Sequence, residues 1–435
     1  MTKTFFIETW GCQMNDLDSQ RLSGSLKLRG YRRVDDEAQA NLILLNTCSI
    51  RDKSEQKVFS HLGRLRELKA QRDDLQIGVC GCVAQQEGEA IRERAPWVDF
   101  VMGPGNVGYL DEVLDGSRTV AVDFPEDRHY DYLTIDRPSA TKAQVTIIEG
   151  CNKNCTFCIV PTTRGREVSR PFGDVLAEVR AAVETGRVEI ELLGQTVNAY
   201  RCPLSGRDFG ALLAAVAEIS GVARLRFMTS HPAEVNDSMI AAMRDHANVS
   251  RYLHLPVQSG SSKILRRMKR LYTRERYLET IARIREAILE IHFSTDVIVG
   301  FPGETEEDFA ESLSLIEEVR YGSLFAFKYS PRPGTPALKL GDAVGDEVAT
   351  ERLNRLFALH ERIKAEQLQT YRGRVLDVLV EGPSRHDPEM FAGRTDDNHV
   401  VNFSADRTVM PGSMLGVRIE SAQHHTLRGR AHSFT

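Results

Sequence analysis

Gly150-Cys151-Asn152-Lys153-Asn154-Cys155-Thr156-Phe157-Cys158 is the stretch that decides the architecture of this 435-residue chain. Its C-x3-C-x2-C spacing gathers three thiolates on one short loop. A four-iron cluster held by only three thiolates keeps one iron open to bind and reduce a substrate or cofactor. A zinc knot is the plainer alternative, but zinc motifs come as C-x2-C pairs answered by a second pair, and no such pair is visible. The loop follows a strand-like run, Gln144 to Ile148, and barrels of alternating strands and helices place their chemistry where strands end.

Five further strand-like runs follow: Glu189 to Leu193, Leu225 to Met228, Tyr252 to Leu255, Ser294 to Val299 and Leu324 to Tyr329. Helix-like stretches fill the gaps at Phe172 to Thr185, Phe209 to Ile219, Glu234 to Arg244, Thr273 to Ala287 and Glu306 to Val319. Thr305 followed by Asp308 has the form of a capping box at the last of these. The alternation predicts a partial (βα)6 barrel of the TIM type.

Upstream, Thr4 to Thr9, Leu42 to Asn46 and Gln76 to Cys80 read as strands, and Asp16 to Arg29 and Asp52 to Arg72 as helices. This pattern predicts a Rossmann-like parallel α/β domain. Cys12, Cys48 and Cys82 each follow a strand end closely, so three more thiols meet along the carboxyl edge of that sheet. Cysteine is also a common buried residue, and packing is the alternative for any one of them. Cys80 lies in line with the third strand and reads as packing, and Cys202 has no partner at useful spacing. Beyond a polar connector (Glu126 to Ala143), the barrel extends to about residue 370. From Arg372 the runs shorten (Val375 to Val380, His399 to Phe403, Met414 to Ile419), which predicts a small antiparallel β-barrel. The expected domains are 2–119, 137–370 and 371–435, an α/β multidomain chain.

Length favours two or three domains. With 41% hydrophobic and 27% charged residues, the chain has ample apolar material for cores and no disordered bias. A net charge of −5 argues against a protein that coats nucleic acid nonspecifically. Locally the balance reverses: seven basic residues stand against Glu275 between Lys263 and Arg276. Such a run is either a solvated helix face or a surface for phosphates. The C-terminal segment is balanced, with eight acidic and eight basic residues from Arg372 onward. No apolar run approaches a membrane span, and Met1-Thr2-Lys3 leads straight into a strand-like stretch, so a cytoplasmic setting without membrane contact is expected.

The loop at 150–158 resembles the signature of the radical S-adenosylmethionine superfamily, and the whole chain resembles its methylthiotransferases. The residues that carry this are Thr9-Trp10-Gly11-Cys12-Gln13-Met14-Asn15, Leu45-Asn46-Thr47-Cys48-Ser49-Ile50-Arg51, Gly81-Cys82-Val83-Ala84-Gln85, Arg164-Gly165-Arg166-Glu167 with Ser169-Arg170, Gln258-Ser259-Gly260, and Gly300-Phe301-Pro302-Gly303-Glu304. Where the family commonly has glycine before the Gly-Cys pair, this chain has Cys80, and Cys82 is retained as the ligand. The resemblance implies two 4Fe-4S clusters, one on Cys12, Cys48 and Cys82 and one on Cys151, Cys155 and Cys158, together with S-adenosylmethionine. It implies a C-terminal TRAM domain, methyl transfer to sulfur at the first cluster, and cleavage of a second S-adenosylmethionine to a 5'-deoxyadenosyl radical at the other. The radical then removes hydrogen from C2 of N6-isopentenyladenosine beside the anticodon, position 37 of tRNA. Phe157 is expected against the adenine of the cofactor, and Gln195, Ser230, Gln258 and Gly300 at strand ends around it. Contacts to the tRNA anticodon stem-loop are expected from Arg164, Arg166, Arg170, Arg266, Arg267 and Lys269. A flavodoxin-type protein is the expected electron donor, and the sulfur source is open. The rival substrates within the family are ribosomal protein S12 and threonylcarbamoyladenosine in tRNA; a rival from another class is a non-catalytic iron-sulfur regulator that binds RNA. Gln13-Met14-Asn15 and Ser49-Ile50-Arg51 resemble the isopentenyladenosine group better.

Overall fold

The computed structural model describes residues 2–49, 52–125, 132–385, 387–405, 409–423 and 426–432. Ile50, Arg51 and the start of the connector at Glu126 therefore lie outside the described residues. The N-terminal part is a parallel sheet of β1 (Thr4–Trp10), β2 (Arg32–Arg33), β3 (Leu42–Thr47), β4 (Gln76–Gly81), β5 (Phe100–Met102) and β6 (Val120–Ala121), in the order β2-β1-β3-β4-β5-β6. Every residue of β3 is buried, as a strand covered on both faces requires. Ile43, Leu45, Ile77 and Val79 pack to one side, and Phe5, Leu44, Cys80 and Phe100 to the other. The strand order reverses at β1, whose neighbours are β2 and β3, so a crevice opens at the carboxyl ends of β1 and β3. Sequence reasoning missed β2, β5 and β6, which are two or three residues long.

The second part opens with β7 (Lys142–Thr146) and β8 (Ile148–Glu149), the latter paired antiparallel with β9 (Val168–Ser169). This short ladder clasps the two ends of the cysteine loop. Then come β10 (Glu189–Leu193), β11 (Arg224–Phe227), β12 (Tyr252–His254), β13 (His292–Val299) and β14 (Ser323–Lys328). The sheets β11-β10-β7 and β12-β13-β14 join through a parallel bridge between Leu225 and Val249. Six parallel strands thus follow one another in chain order, and among the described residues no ladder closes β14 onto β7. The capping box at Thr305 and Asp308 is present. A 24-residue helix, Asp346–Gln369, was not anticipated; it lays Leu356 and Ile363 into the barrel core and carries the chain onward.

The C-terminal part is a closed barrel, β15 (Val375–Pro383), β16 (Phe391–Thr395), β17 (Val400–Ser404), β18 (Met414–Ala422) and β19 (Thr426–Ala431), in the order β15-β16-β17-β19-β18. Its pairs are antiparallel except β17 with β19, which corrects the purely antiparallel expectation. β16 and β19 escaped sequence reading because Gly393 and Gly429 interrupt their apolar pattern. A Cβ at Gly393 would stand 2.4 Å from the Leu379 carbonyl oxygen, and one at Gly429 2.3 Å from that of Arg418. Glycine is what lets strands pass this closely.

Both smaller parts dock on the barrel, at opposite ends of its strands. Helix Gln13–Leu28 places Met14 and Leu17 against Leu193 and Met228 beyond the carboxyl ends. At the amino ends, Arg226 Nη2 donates to the Thr395 carbonyl at 2.6 Å and Nη1 to that of Asp396 at 2.9 Å, while its Nε donates to Glu189 at 3.1 Å. We expect Arg226→Met to leave Glu189 and two carbonyls unpaired, at a cost of about 3–5 kcal/mol. Denaturant unfolding should then show a separate early transition for the C-terminal barrel, and a single unshifted transition would contradict this docking.

Candidate active site

The loop of Cys151, Cys155 and Cys158 is tied down along its length. Gly150 turns it with φ 76°, and a Cβ there would lie 2.0 Å from the Arg166 carbonyl oxygen. Gly150 N donates to Gln195 Oε1 at 2.5 Å, and Cys151 N to the Gly165 carbonyl at 3.1 Å. Thr156 donates from its amide to the Met268 carbonyl and from its hydroxyl to that of Arg267, each at 3.0 Å. The buried Arg270 donates Nη1 to Cys155 Sγ at 3.3 Å and Nη2 to the Pro256 carbonyl at 3.1 Å. A cation that donates to a cluster-bearing thiolate tunes whatever metal the thiolate holds. Burial pushes the Cys158 thiol up to about 12, and negative charge on Cys155 and Cys151 adds to the rise. Three thiolates this close need a positive group among them to be ionised together.

These cysteines floor a cavity of about 270 Å³ whose wall includes Gln195, Thr196, Thr229, Ser230, His231, Gln258, Asp296 and Tyr329. Thr229 and Gln258 hold left-handed backbone, at φ 69° and 71°, a strained choice for non-glycine residues that clusters at functional sites. Ser230 Oγ, His231 Nε2 and Tyr329 Oη are buried there without a hydrogen-bond partner among the described residues, so the wall is built for polar groups that a ligand brings. Burial, with the positive charges of Arg270 and Lys153, drives His231 down to about 2. Its ring is neutral, and since Nδ1 accepts from Ala233 N at 3.2 Å, the proton sits on Nε2 and offers a donor to the cavity. Phe157 lines the cavity and, like Ile298 and Tyr329, packs against the buried cluster of Ile264, Met268, Phe301 and Ala337. Gly300 is not among the residues that line the cavity. Its φ of 69° answers the helix behind, where a Cβ would meet Ala349 Cβ at 2.7 Å.

The second triad sits in the crevice of the N-terminal sheet. Cys12 caps helix Gln13–Leu28, Cys48 follows β3 directly, and Cys82 opens helix Cys82–Glu87. Asn15 and Asn46 lock the first two strand ends together: Asn46 Nδ2 donates to the Asn15 carbonyl at 2.9 Å and Asn15 Nδ2 to that of Thr47 at 3.3 Å. A hydrogen bond from Cys48 leads in pulling Cys12 down to about 6, against burial, with help from the charge on Arg164. Burial raises Cys82, opposed by Arg164, which also hydrogen bonds to it. Cys80 points away into the core with Phe5 and Phe100, and burial lifts its thiol to about 12. Cys202 is buried apart from both triads and accepts from Phe172 N at 3.4 Å.

Arg164 is the residue that joins the two sites. It ends helix Val160–Arg164, which directly follows the first cysteine loop, and its Nη2 donates to Asp18 Oδ2 at 2.6 Å. Asp18 and Arg164 are both buried. Arg21 adds a second crossing, donating to Glu149 Oε1 and Thr146 Oγ1 at 3.0 Å each. These positions correct two expected RNA contacts: Arg164 is enclosed between domains, and Arg170 is 2% exposed with its guanidinium on Glu178 at 2.5 Å. Arg166, Arg266 and Lys269 are exposed. Arg267 is half-buried and donates Nε to the Pro302 carbonyl at 3.0 Å. Sequence reasoning passed over Arg270, His231 and Tyr329, whose partners come from other strands.

The donor sets fit iron-sulfur clusters. Three ligands of a single zinc ion stand about 3.3–3.8 Å apart for bond lengths of 2.0–2.3 Å. Among the described residues, neither cysteine triad brings three ligand atoms within 4.8 Å of one another. Three thiols without a fourth protein ligand suit a cubane with one open corner.

The chain matches the uncharacterized protein family UPF0004 over residues 4–103, the radical SAM superfamily over 145–316 and the TRAM domain over 369–432. A protein of Stutzerimonas stutzeri named tRNA-2-methylthio-N(6)-dimethylallyladenosine synthase is 47% identical to it, over 99% of each chain. Proteins of that name from Ectopseudomonas mendocina and Alkalilimnicola ehrlichii are each 48% identical over 99% of this chain, and over 98% and 97% of their own. This chain belongs to that family of synthases. Its fold is shared with the radical S-adenosylmethionine methyltransferase TsrM from Kitasatospora setae, at TM-score 0.58 and 14% identity, covering 78% of this chain and 77% of that one. It is likewise shared with the cobalamin-dependent S-adenosylmethionine radical enzyme OxsB, at TM-score 0.52 and 15% identity, covering 83% and 56%.

In this synthase-family chain we expect Cys82→Ala to lose the iron of one cluster. Cys80→Ala should keep its iron and lose about 1 kcal/mol of stability, as a buried truncation does. Iron and sulfide analysis of the anaerobically purified variants checks this, and the reverse ranking would move the ligand to Cys80. Arg270→Gln should shift the reduction potential of the barrel cluster to more negative values, because the donated hydrogen bond and charge on Cys155 are lost. A redox titration followed by electron paramagnetic resonance reads that shift directly.

Proposed function

We infer that this chain is a tRNA methylthiotransferase that places a methylthio group on C2 of N6-isopentenyladenosine beside the anticodon, at position 37. The observation that carries the reading is that Arg164, six residues beyond Cys158 of one triad, crosses the domain interface to Asp18 and lies beside Cys12 and Cys82 of the other. One site makes a radical and the other delivers sulfur, so they must share a substrate pocket. An aromatic C–H at C2 offers neither an acidic proton nor a leaving group, and polar catalysis fails there. When bound, the two 4Fe-4S clusters and S-adenosylmethionine supply the electron, the carbon radical and the carried sulfur.

The chain's own residues bind, orient and shield. Cys151, Cys155 and Cys158 hold the barrel cluster, and Cys12, Cys48 and Cys82 the other. Ser230, His231 and Tyr329 present polar atoms for the amino, carboxylate and ribose groups of the cofactor, with Gln195 and Gln258 at neighbouring strand ends. Phe157, Ile298 and Phe327 give the cavity an apolar side, which suits adenine and the isopentenyl group. Phe327, 39% exposed on β14, stands where the barrel is left open.

Arg266 and Lys269 line a cleft of about 630 Å³ together with Asn152, Lys153 and Asn154 from the outer side of the cysteine loop. Phosphates of the anticodon stem-loop fit this cleft, while the base to be modified unstacks toward the cavity, as loop bases do readily. Arg166 and the TRAM barrel extend the same role. No described helix is long and apolar enough to cross a membrane. A cytoplasmic setting and a flavodoxin-type electron donor complete this reading.

Replacing Arg266 and Lys269 with Gln should weaken tRNA binding and reduce the slope of log K against log salt by about 1–2, one contact being worth roughly 0.7–0.9. Cleavage of S-adenosylmethionine without RNA should be unchanged. Turnover should fall at least about tenfold on tRNA that carries plain adenosine at the modified position, because the apolar wall loses its partner. Equal turnover of both tRNAs, or faster reaction of a ribosomal protein, would overturn the substrate.

A further inference from the structure

At the amino ends of the barrel strands, remote from both cysteine triads, lies a donor cluster that the methylthiotransferase reading does not use. His292 is the first residue of β13, and Asp397 and His399 belong to the β16 to β17 connection of the TRAM barrel. Among the described residues, only these three His, Cys, Asp or Glu side chains bring ligand atoms within 4.8 Å of one another. Asp397 Oδ2 stands 3.2 Å from His292 Nε2 and 3.8 Å from His399 Nε2. Two ligands on a tetrahedral zinc ion, with bonds of about 2.0–2.1 Å, are separated by about 3.3 Å. The measured spacings bracket that edge.

The surroundings are those of a built site. Thr395 Oγ1 donates to Asp397 Oδ1, an outer contact that orients a ligating carboxylate, and Tyr371 Oη donates to Asp397 Oδ2 and stands 3.2 Å from His292 Nε2. The rings of His292 and His399 stand at 87° with centroids 6.2 Å apart, and Tyr371 packs edge-on to His399 at 5.2 Å. All three donors are partly withdrawn from solvent, with side-chain exposures of 25% for His292, 10% for Asp397 and 15% for His399. His292 and Asp397 also border a cavity of about 360 Å³ between barrel and TRAM, room for water at an open coordination position.

We propose that His292, Asp397 and His399 form a divalent transition-metal site, zinc first among the metals, that staples the TRAM domain to the amino end of the radical barrel. Two imidazoles and one carboxylate are ordinary zinc ligands, and they leave the fourth position to water. The ligands come from segments about a hundred residues apart in the chain, so the metal closes a long loop and holds two domains in one orientation.

The test uses the full chain, purified anaerobically with both iron-sulfur clusters filled, and zinc ions alone as the probe. Gel filtration followed by elemental analysis should find one zinc per chain beyond the iron. X-ray absorption at the zinc edge should show nitrogen and oxygen neighbours only. His399→Ala should weaken zinc binding more than about 100-fold and Tyr371→Phe by about tenfold, the range seen when outer contacts are removed, with iron content unchanged in both. Absence of zinc from the wild-type chain at micromolar excess would show a hydrogen-bonded latch only and overturn the proposal. Sulfur neighbours at the zinc edge would overturn it equally, since they would place zinc in a cysteine site. The absorption measurement needs no variant, so it decides the matter even if His399→Ala misfolds.

Discussion

A buried guanidinium holds this molecule's chemistry together. Arg164 leaves the radical-cluster loop, crosses into the N-terminal domain, binds Asp18 and lies beside Cys12 and Cys82. A charge withdrawn from water must be met by opposite charge and hydrogen bonds, and here those come from the other domain. The relative orientation of the two cysteine triads is thereby coupled to an ion pair that crosses the domain boundary. Arg21, on the same helix as Asp18, repeats the crossing at Glu149 and Thr146.

The barrel separates its duties along the strand axis. The carboxyl ends carry the cysteine loop, the polar orphans Ser230, His231 and Tyr329, and the two strained residues Thr229 and Gln258. The amino ends carry Arg224, Arg226 and His292, which grip the TRAM barrel. Strand ends facing the ligand tolerate unpaired polar groups because a cofactor will pair them. At the other end the guanidinium groups of Arg224 and Arg226 are paired with TRAM carbonyls.

Basic residues that look alike in sequence differ by where their charge ends up. Arg164 and Arg170 sit six residues apart in the motif Arg-Gly-Arg-Glu-Val-Ser-Arg, with Arg166 between them. The outer two are buried on Asp18 and Glu178, and only Arg166 meets solvent. Within Lys263 to Arg276 the same sorting holds: Arg266 and Lys269 face the cleft, while Arg270 turns inward to Cys155. A charge run thus contains both an exposed basic cleft lining and a buried guanidinium that donates to Cys155.

The sequence by itself determined the two cysteine triads, the six-strand barrel and the order of the three domains. Those features rest on local spacing: thiolates on one loop, strand ends that share a direction, and periodic apolar runs. It also set Cys82 apart from Cys80 by position: Cys80 lies within the strand and packs in the core, and Cys82 follows the strand end beside Arg164. Tertiary structure alone decided that Arg164 and Arg170 are internal, that Gly300 approaches Ala349 of the long helix, and that His231 and Arg270 stand at the cysteine cavity. It alone brought His292 to Asp397 and His399. Burial and charge pairing between distant segments leave no periodic trace in a sequence, because the partner that makes a buried charge stable is chosen by the packing of domains and not by neighbours along the chain.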